Sequence, residues 1–321
     1  MLRRAIFALL LLWLPSTLFA KTSSTTITVV DSRGQHQLPA TPIRVAALNW
    51  DVAEQVLALG VTPIAMPDIN GYREWVMQPK VPDSVMDIGS RVEPNFQRLA
   101  TLKPDVIIIA SPQLDLLPRL EKIAPVLFYQ TYSEHHDNAR AAIDNFRLIA
   151  QLLDRETQAE QRLTQMQHSI ATMRQQLAQA YQGKLPTVTT FRFASMTSIY
   201  QFGDNSTAQY ALLLLGISAA IEQAPTQWGV KQKRLKELRH VGDGVALYFE
   251  PFAQQQQLST SVMWNAFPFV RYHKMNSVKP AWNYGGAVSI EYMATALTES
   301  LLAIAPIPPT SLPQNESEQN Q

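Results

Sequence analysis

Cysteine is absent from all 321 positions. The chain therefore has no disulfide, no thiolate metal centre and no acceptor for the lipid of a lipoprotein leader. Glycine is sparse, at 12 residues, which argues against a glycine-built phosphate cradle. No Gly-x-x-x-x-Gly-Lys-Ser/Thr loop, Gly-x-Gly-x-x-Gly turn, Gly-x-Ser-x-Gly elbow or His-Glu-x-x-His helix occurs. Charge of one sign is lacking too: 27 Lys and Arg face 26 Asp and Glu, a net charge of +1. Such a balance gives no broad field to draw in nucleic acid. After the first twenty residues no apolar run has the roughly 20 residues that a membrane-spanning helix needs. These absences leave a binding protein for a small partner, with no enzyme motif and no resident cofactor or metal expected.

The N-terminus supplies the first positive signal. Met1-Leu2-Arg3-Arg4 precedes an apolar run from Ala5 to Leu14, and Pro15 to Ala20 leads into a polar stretch opening with Lys21. A basic start, a short apolar core and a small residue before the cut predict a cleavable secretory signal over 1–20. With no cysteine to lipidate, the expected location is the free periplasm of a Gram-negative cell. About 300 mature residues suffice for two lobes with a core that needs no staples.

Short apolar strands alternate with helices in the first part: Thr26–Val30, Arg44–Leu48, Thr62–Met66, Val85–Gly89, Asp105–Ala110 and Pro125–Tyr129. Helices are expected from Asp51, read as an N-cap, over Asn95–Leu102 and over Leu114–Ile123. This alternation predicts a parallel sheet covered on both faces, an α/β lobe over 21–137. From Asp137 to about Gln182 there is no Gly or Pro, and Phe146, Ile149, Leu163, Met166, Ile170 and Leu177 recur at helical spacing. The reading is one long helix or two nearly continuous ones, taken as a single rigid bridge over 138–183 with Gly183 as its stop. A second α/β lobe is expected over 184–305, with strands at Thr187–Phe193 and Gly244–Glu250 and helices at Ser206–Leu215, Arg234–Leu238 and Ala287–Ala303. The Pro-, Gln- and Ser-rich tail 306–321 is expected to be disordered. The predicted fold is thus two parallel-sheet lobes bridged by one long helix, with a largely pre-formed cleft.

Aromatic residues at expected loop positions carry the functional reading. Tyr72-Arg73-Glu74-Trp75 follows the second strand of the alternation, Thr226-Gln227-Trp228-Gly229 precedes an expected helix, and Pro280-Ala281-Trp282-Asn283-Tyr284-Gly285-Gly286 forms a polar turn. Trp75, Trp228, Trp282 and Tyr284 suit the wall of a pocket for a bulky ligand. Arg91 comes just after a strand's C-terminal end, where open α/β sheets place ligands. Its fork can serve paired, partly negative oxygens, as hydroxamates and catecholates present around Fe(III). Arg192, inside a strand, needs a partner or a cleft to face. His135 and His136 are adjacent in a polar connector and read as solvated.

These residues resemble the periplasmic siderophore-binding proteins of ABC importers, and among them the ferric-hydroxamate binders of enterobacteria. The resemblance lies in Arg73-Glu74-Trp75, the run from Pro82 to Asn95, Leu102-Lys103-Pro104-Asp105, Trp228-Gly229, the run from Trp264 to Arg271 and the run from Pro280 to Gly286. It implies two α/β lobes joined by a long helix. It also implies that Arg91 bonds the iron-coordinating oxygens and that Trp75, Trp228 and Trp282 line a shallow cleft. The iron would be held by the siderophore rather than by protein side chains. Gln113 stands where the family has a pocket tyrosine, which places it among the expected ligand-binding residues with one hydrogen-bond donor to the siderophore changed or lost. Family acids that dock on the permease fall near Pro118 and Lys233, with Asp115 and Glu237 as neighbouring carboxylates. The resemblance implies a monomeric carrier that delivers a ferric hydroxamate to an inner-membrane permease driven by a cytoplasmic ATPase. A catecholate or mixed siderophore is the alternative, favoured by a second pocket arginine; haem or a cobalamin is the remoter one, with Tyr72, Tyr284 or His273 available to haem iron.

Overall fold

The computed structural model describes residues 26–306. The leader expected over 1–20 and the tail expected beyond 306 lie outside the described residues. A hairpin opens the described chain, β1 (Ile27–Asp31) pairing antiparallel with β2 (Gly34–Leu38). The buried Asp31 carboxylate accepts from the backbone N–H of Phe128 and pins this hairpin to the first lobe.

That lobe runs β3 (Val45–Ala47), α1 (Trp50–Ala58), β4 (Ala65–Met66), α2 (Ile69–Trp75), β5 (Met86–Asp87), α3 (Phe96–Thr101), β6 (Val106–Ile109), α4 (Leu117–Leu120) and β7 (Val126–Phe128). All pairings are parallel, in the order β5-β4-β3-β6-β7. The chain winds outward from β3 in one direction and then resumes at β6 in the other. The crevice of this topology therefore opens between the C-terminal ends of β3 and β6. Three local expectations are corrected. The N-cap of α1 lies two residues earlier, at Asn49, and Asp51 turns inward to accept from the Thr131 hydroxyl. Tyr72 to Trp75 belong to α2 rather than a loop. The helix expected over Leu114–Ile123 is a 3-10 stretch, Ser111–Leu116, followed by one turn of α4, with Pro112 and Pro118 interrupting the regular ladder.

The bridge is two helices rather than one: α5 (Asn138–Leu152) and α6 (Glu156–Ala180). Asp154 between them takes φ +55°. The two helices bury their stripes against different partners, α5 against β1 and α1, α6 against α11. Asp tolerates the left-handed conformation, so the break carries no Gly or Pro signal. Gly183 ends α6 as expected, with φ +76° and its N–H bonded to the Ala178 carbonyl.

The second lobe runs β8 (Val188–Phe193), β9 (Ser198–Phe202), α7 (Thr207–Leu214), β10 (Val230–Arg234), β11 (Val245–Phe249), α8 (Gln255–Ser259), α9 (Val262–Asn265), α10 (Pro268–Arg271), β12 (Met275–Val278) and α11 (Ser289–Leu302). Its sheet order is β10-β9-β8-β11-β12. Only β8, β11 and β12 are parallel; β9 and β10 join antiparallel, so this sheet is mixed. The largest apolar cluster includes Val45 and Val106 of the first sheet, Val188 and Leu247 of the second, and faces of α5, α6 and α11. One continuous core thus runs from lobe to lobe, and each sheet's other face has its own cluster.

Candidate functional site: an aromatic cleft with an unpaired arginine

A cleft of about 280 Å³ lies between the lobes, lined by Asn49, Arg91, Pro112, Tyr132, Trp228, Trp282 and Tyr284. Its floor is the crevice predicted by the strand order. Asn49 follows β3, Pro112 follows β6, and Tyr132 follows β7. The second lobe contributes the opposite wall through the turn before β10, which carries Trp228, and the loop between β12 and α11, which carries Trp282 and Tyr284. Tyr132 meets Trp228 at 6.0 Å and Tyr284 at 5.7 Å between ring centroids, and Trp282 meets Tyr284 at 5.6 Å. Backbone carbonyls fix this set: the Tyr132 hydroxyl donates to Gly285, and the Gln227 side chain donates to Tyr132.

Arg91 enters from the loop after β5. Its guanidinium lies 3.7 Å from the centroid of the Trp50 ring and 5.8 Å from that of Trp282. Trp50 is itself held by an indole bond to the Pro67 carbonyl. Burial lowers the Arg91 pKa, while the charges of Asp68 and Asp51 oppose that shift. Among the described residues its side chain makes no hydrogen bond and no ion pair, and it does not pair with the nearby Glu93. A half-buried cation stacked on indole, with all its donors available, can receive two oxygens side by side.

The expected site residues divide into three groups. Arg91, Trp228, Trp282 and Tyr284 share the cleft. Trp75 and Arg192 line an adjoining recess that shares Trp282 and Tyr284 and also contains Glu250. Arg192 stacks over Tyr200 at 4.9 Å, and its charge opposes the burial that raises the Tyr284 pKa. Gln113 is the exception and is corrected here. It is fully buried, its amide donates to the Arg91 carbonyl, and its Oε1 accepts from Ala110 N–H. A side chain so engaged tethers the Arg91 loop instead of lining the cleft. Trp228 leads into strand β10, not a helix. Of the residues considered for haem iron, Tyr72 is fully buried in α2 and only Tyr284 lines the cleft.

Asn49, Trp50 and Tyr132 went unrecognised in the sequence. All three follow the C-terminal ends of parallel strands, the same rule that pointed to Arg91. They were hidden because Asn49 and Trp50 fall between the expected strand and the expected helix and Tyr132 falls in a connector. Among the described residues no cluster of three or more His, Asp or Glu could hold a metal ion.

Comparison with known proteins places the chain among periplasmic binding proteins. The iron(3+)-hydroxamate-binding protein FhuD of Escherichia coli K12 is 29% identical over 268 residues, 83% of this chain and 89% of that protein. The structure of the siderophore-binding protein FhuD from Vibrio cholerae with Fe3+-Desferal bound is 48% identical and covers 83% of this chain and 100% of that one, with a TM-score of 0.80. The Fe(3+) dicitrate-binding periplasmic protein FecB of E. coli K12 is 29% identical over 155 residues, 47% of this chain and 50% of its own. The family model described as periplasmic binding protein matches residues 45–237, more than half the chain, and the chain belongs to that family.

Proposed function

We propose that the protein is the periplasmic binding component of an iron-siderophore ABC importer, and that its cleft takes a ferric hydroxamate through Arg91, Trp228, Trp282 and Tyr284. The observation that carries this reading is the unpaired Arg91 guanidinium stacked on Trp50 and walled by aromatics of both lobes. A ferric hydroxamate presents a compact apolar exterior and an arc of partly negative oxygens, so stacking faces and one bidentate donor suit it. The similarity to FhuD of E. coli and of V. cholerae supports the hydroxamate class. The protein acts as a monomeric carrier, not an enzyme. It reaches the periplasm by the leader over 1–20 and hands its ligand to an inner-membrane permease with a cytoplasmic ATPase. Asp115, exposed on the first lobe, and Glu237, on the second, are the carboxylates available for docking on the permease.

Arg192 favours a second reading, an anionic catecholate or carboxylate-bearing siderophore, because it too lacks an ion pair among the described residues. Glu250 shares its recess, however, and leaves the recess near neutrality. The neutral hydroxamate is therefore the leading ligand. The test is titration of the apo protein with ferric trishydroxamate, ferric catecholate and haem, followed by tryptophan fluorescence. Strong quenching by the trishydroxamate is expected. Quenching by haem alone would overturn the assignment, and quenching by catecholate alone, lost in Arg192→Ala, would establish the second reading.

A further inference from the structure

The walls of the cleft belong to different lobes, so something must set their separation. Helix α1 begins with Trp50 under Arg91 and, one turn on, carries Glu54, which is fully buried. The Glu54 Oε2 accepts from the Gly286 N–H at 2.8 Å and from the Ser289 hydroxyl at 2.9 Å, across more than 230 residues of sequence. Its Oε1 has no hydrogen-bond partner. Those donors lie two and five residues after Tyr284. The loop presses on α1 closely enough that a Cβ on Gly285 would come within 2.6 Å of Glu54 Oε2, and one on Gly286 within 2.3 Å of the Gln55 side chain. We propose that Glu54, which lines no part of the cleft, is a positioning residue: its carboxyl group clasps the Trp282–Gly286 wall to the helix that supports Arg91, and this clasp sets the ligand-competent width of the cleft. The inference rests on the siderophore-binding reading and specifies what holds that site together.

The groups facing Glu54 make the clasp sensitive to pH. Asp51 on α1, Tyr72 on α2, Tyr132 after β7 and Tyr292 on α11 surround it electrostatically. None is a cation. Burial first, with Asp51 adding to it, pushes the Glu54 carboxyl up to about 8. A loop lifted off α1 would expose the carboxyl to water and return it toward its ordinary value of 4.5. The clasped form thus holds a proton that the open form loses between those values, and rising pH favours opening.

The test compares wild type, Glu54→Gln and Glu54→Ala, using the ferric Desferal complex as probe and tryptophan quenching at pH 5.5 and 8. Glutamine keeps an oxygen acceptor for both donors and cannot ionise, so its affinity at pH 5.5 is expected within about threefold of wild type and its pH slope smaller. Alanine, losing both bonds, is expected to bind about tenfold or more weakly while remaining folded by circular dichroism. Wild-type affinity in the alanine variant, or an unchanged pH slope in the glutamine variant, would overturn the clasp. Hydrogen exchange over residues 282–289 decides the matter independently of ligand. Faster exchange at Gly286 in the alanine variant supports the clasp, and unchanged exchange refutes it. If wild type binds no ferric siderophore, the proposed function fails while the exchange result still judges Glu54.

Discussion

Replacing Arg91 by alanine isolates the polar half of ligand recognition from the aromatic half. In the free protein this side chain donates no hydrogen bond among the described residues, and its main contact is the face of Trp50 at 3.7 Å. Removing it therefore forfeits a cation–π contact of roughly 0.5–2 kcal/mol and relieves a half-buried cation of its desolvation, two terms of opposite sign. Melting is expected to move by less than about 3 °C, since 1 kcal/mol corresponds to only a few degrees at this chain length. In the complex the guanidinium supplies hydrogen bonds to charged oxygens at roughly 1.5–3 kcal/mol apiece. Taking about 3 kcal/mol for a partly solvated fork, affinity falls by about 100-fold at 1.4 kcal/mol per tenfold. Arg91→Lys keeps the charge but not the fork and should recover only part of the loss. Fluorescence titration with a ferric trishydroxamate gives the affinity, and thermal denaturation of the same samples gives the stability. A change in affinity below threefold would refute the role of Arg91, and a large fall in melting temperature would show that the side chain serves the fold instead.

The buried acids of α1 also make a stability prediction. Burial raises Glu54 to about 8 from 4.5 and Asp51 to about 6 from 3.8. Between the unfolded and folded values the native state holds a proton that the unfolded chain has lost, so the contribution of each group falls as pH rises, by at most about 1.4 kcal/mol per unit. Between pH 6 and 8 Glu54 dominates, and Glu54→Gln should flatten chemical-denaturation stability over that interval; an unaltered slope counts against the buried neutral form. Gly286→Ala places a methyl group 2.9 Å from the Asp51 carbonyl oxygen as well as against Gln55, and the overpacking should cost about 1–3 kcal/mol, read as a lower melting temperature. An unchanged melting temperature would mean that the loop is free to lift from α1.

What the sequence made legible follows from how local each signal is. The parallel alternation of the first lobe was readable because β3, β6 and β7 are short, wholly apolar and bounded by polar turns. The helix expected over Ser206–Leu215 forms as α7 with Ser206 as its cap, and Gly183 as the stop of α6 is likewise a local choice. β10, with the sequence VKQKR and three of its five residues exposed, is an edge strand held by pairing to β9 and carries no apolar pattern. Asp51 does not cap α1: its carboxylate accepts from Thr131, 80 residues away, a contact no local rule contains, and the residue at the cap position, Asn49, makes no side-chain capping bond. The same holds in the site. Trp228, Trp282 and Arg91 were visible as large or charged residues at element ends, but the burial of Gln113 against the Arg91 carbonyl depends on how two loops meet.

The source of cleft geometry also moves. A single rigid helix between the lobes would by itself have kept the walls apart at a fixed distance, but α5 and α6 are separate segments with Asp154 between them. The lobes are instead joined across their facing surfaces. Asn205 donates to the Ser133 carbonyl, Gln227 to that of Tyr132, and Tyr132 to that of Gly285, while Glu54 accepts from Gly286 and Ser289. These bonds are buried or partly buried and sit over an apolar cluster that is continuous between the lobes. Opening the cleft must break several of them together and expose part of that cluster, so the cost of opening belongs to the interface. Because Tyr132, Trp228, Trp282 and Tyr284 either make these bonds or lie within three residues of them, the surface that would grip the ligand and the surface that joins the lobes are built from the same short segments.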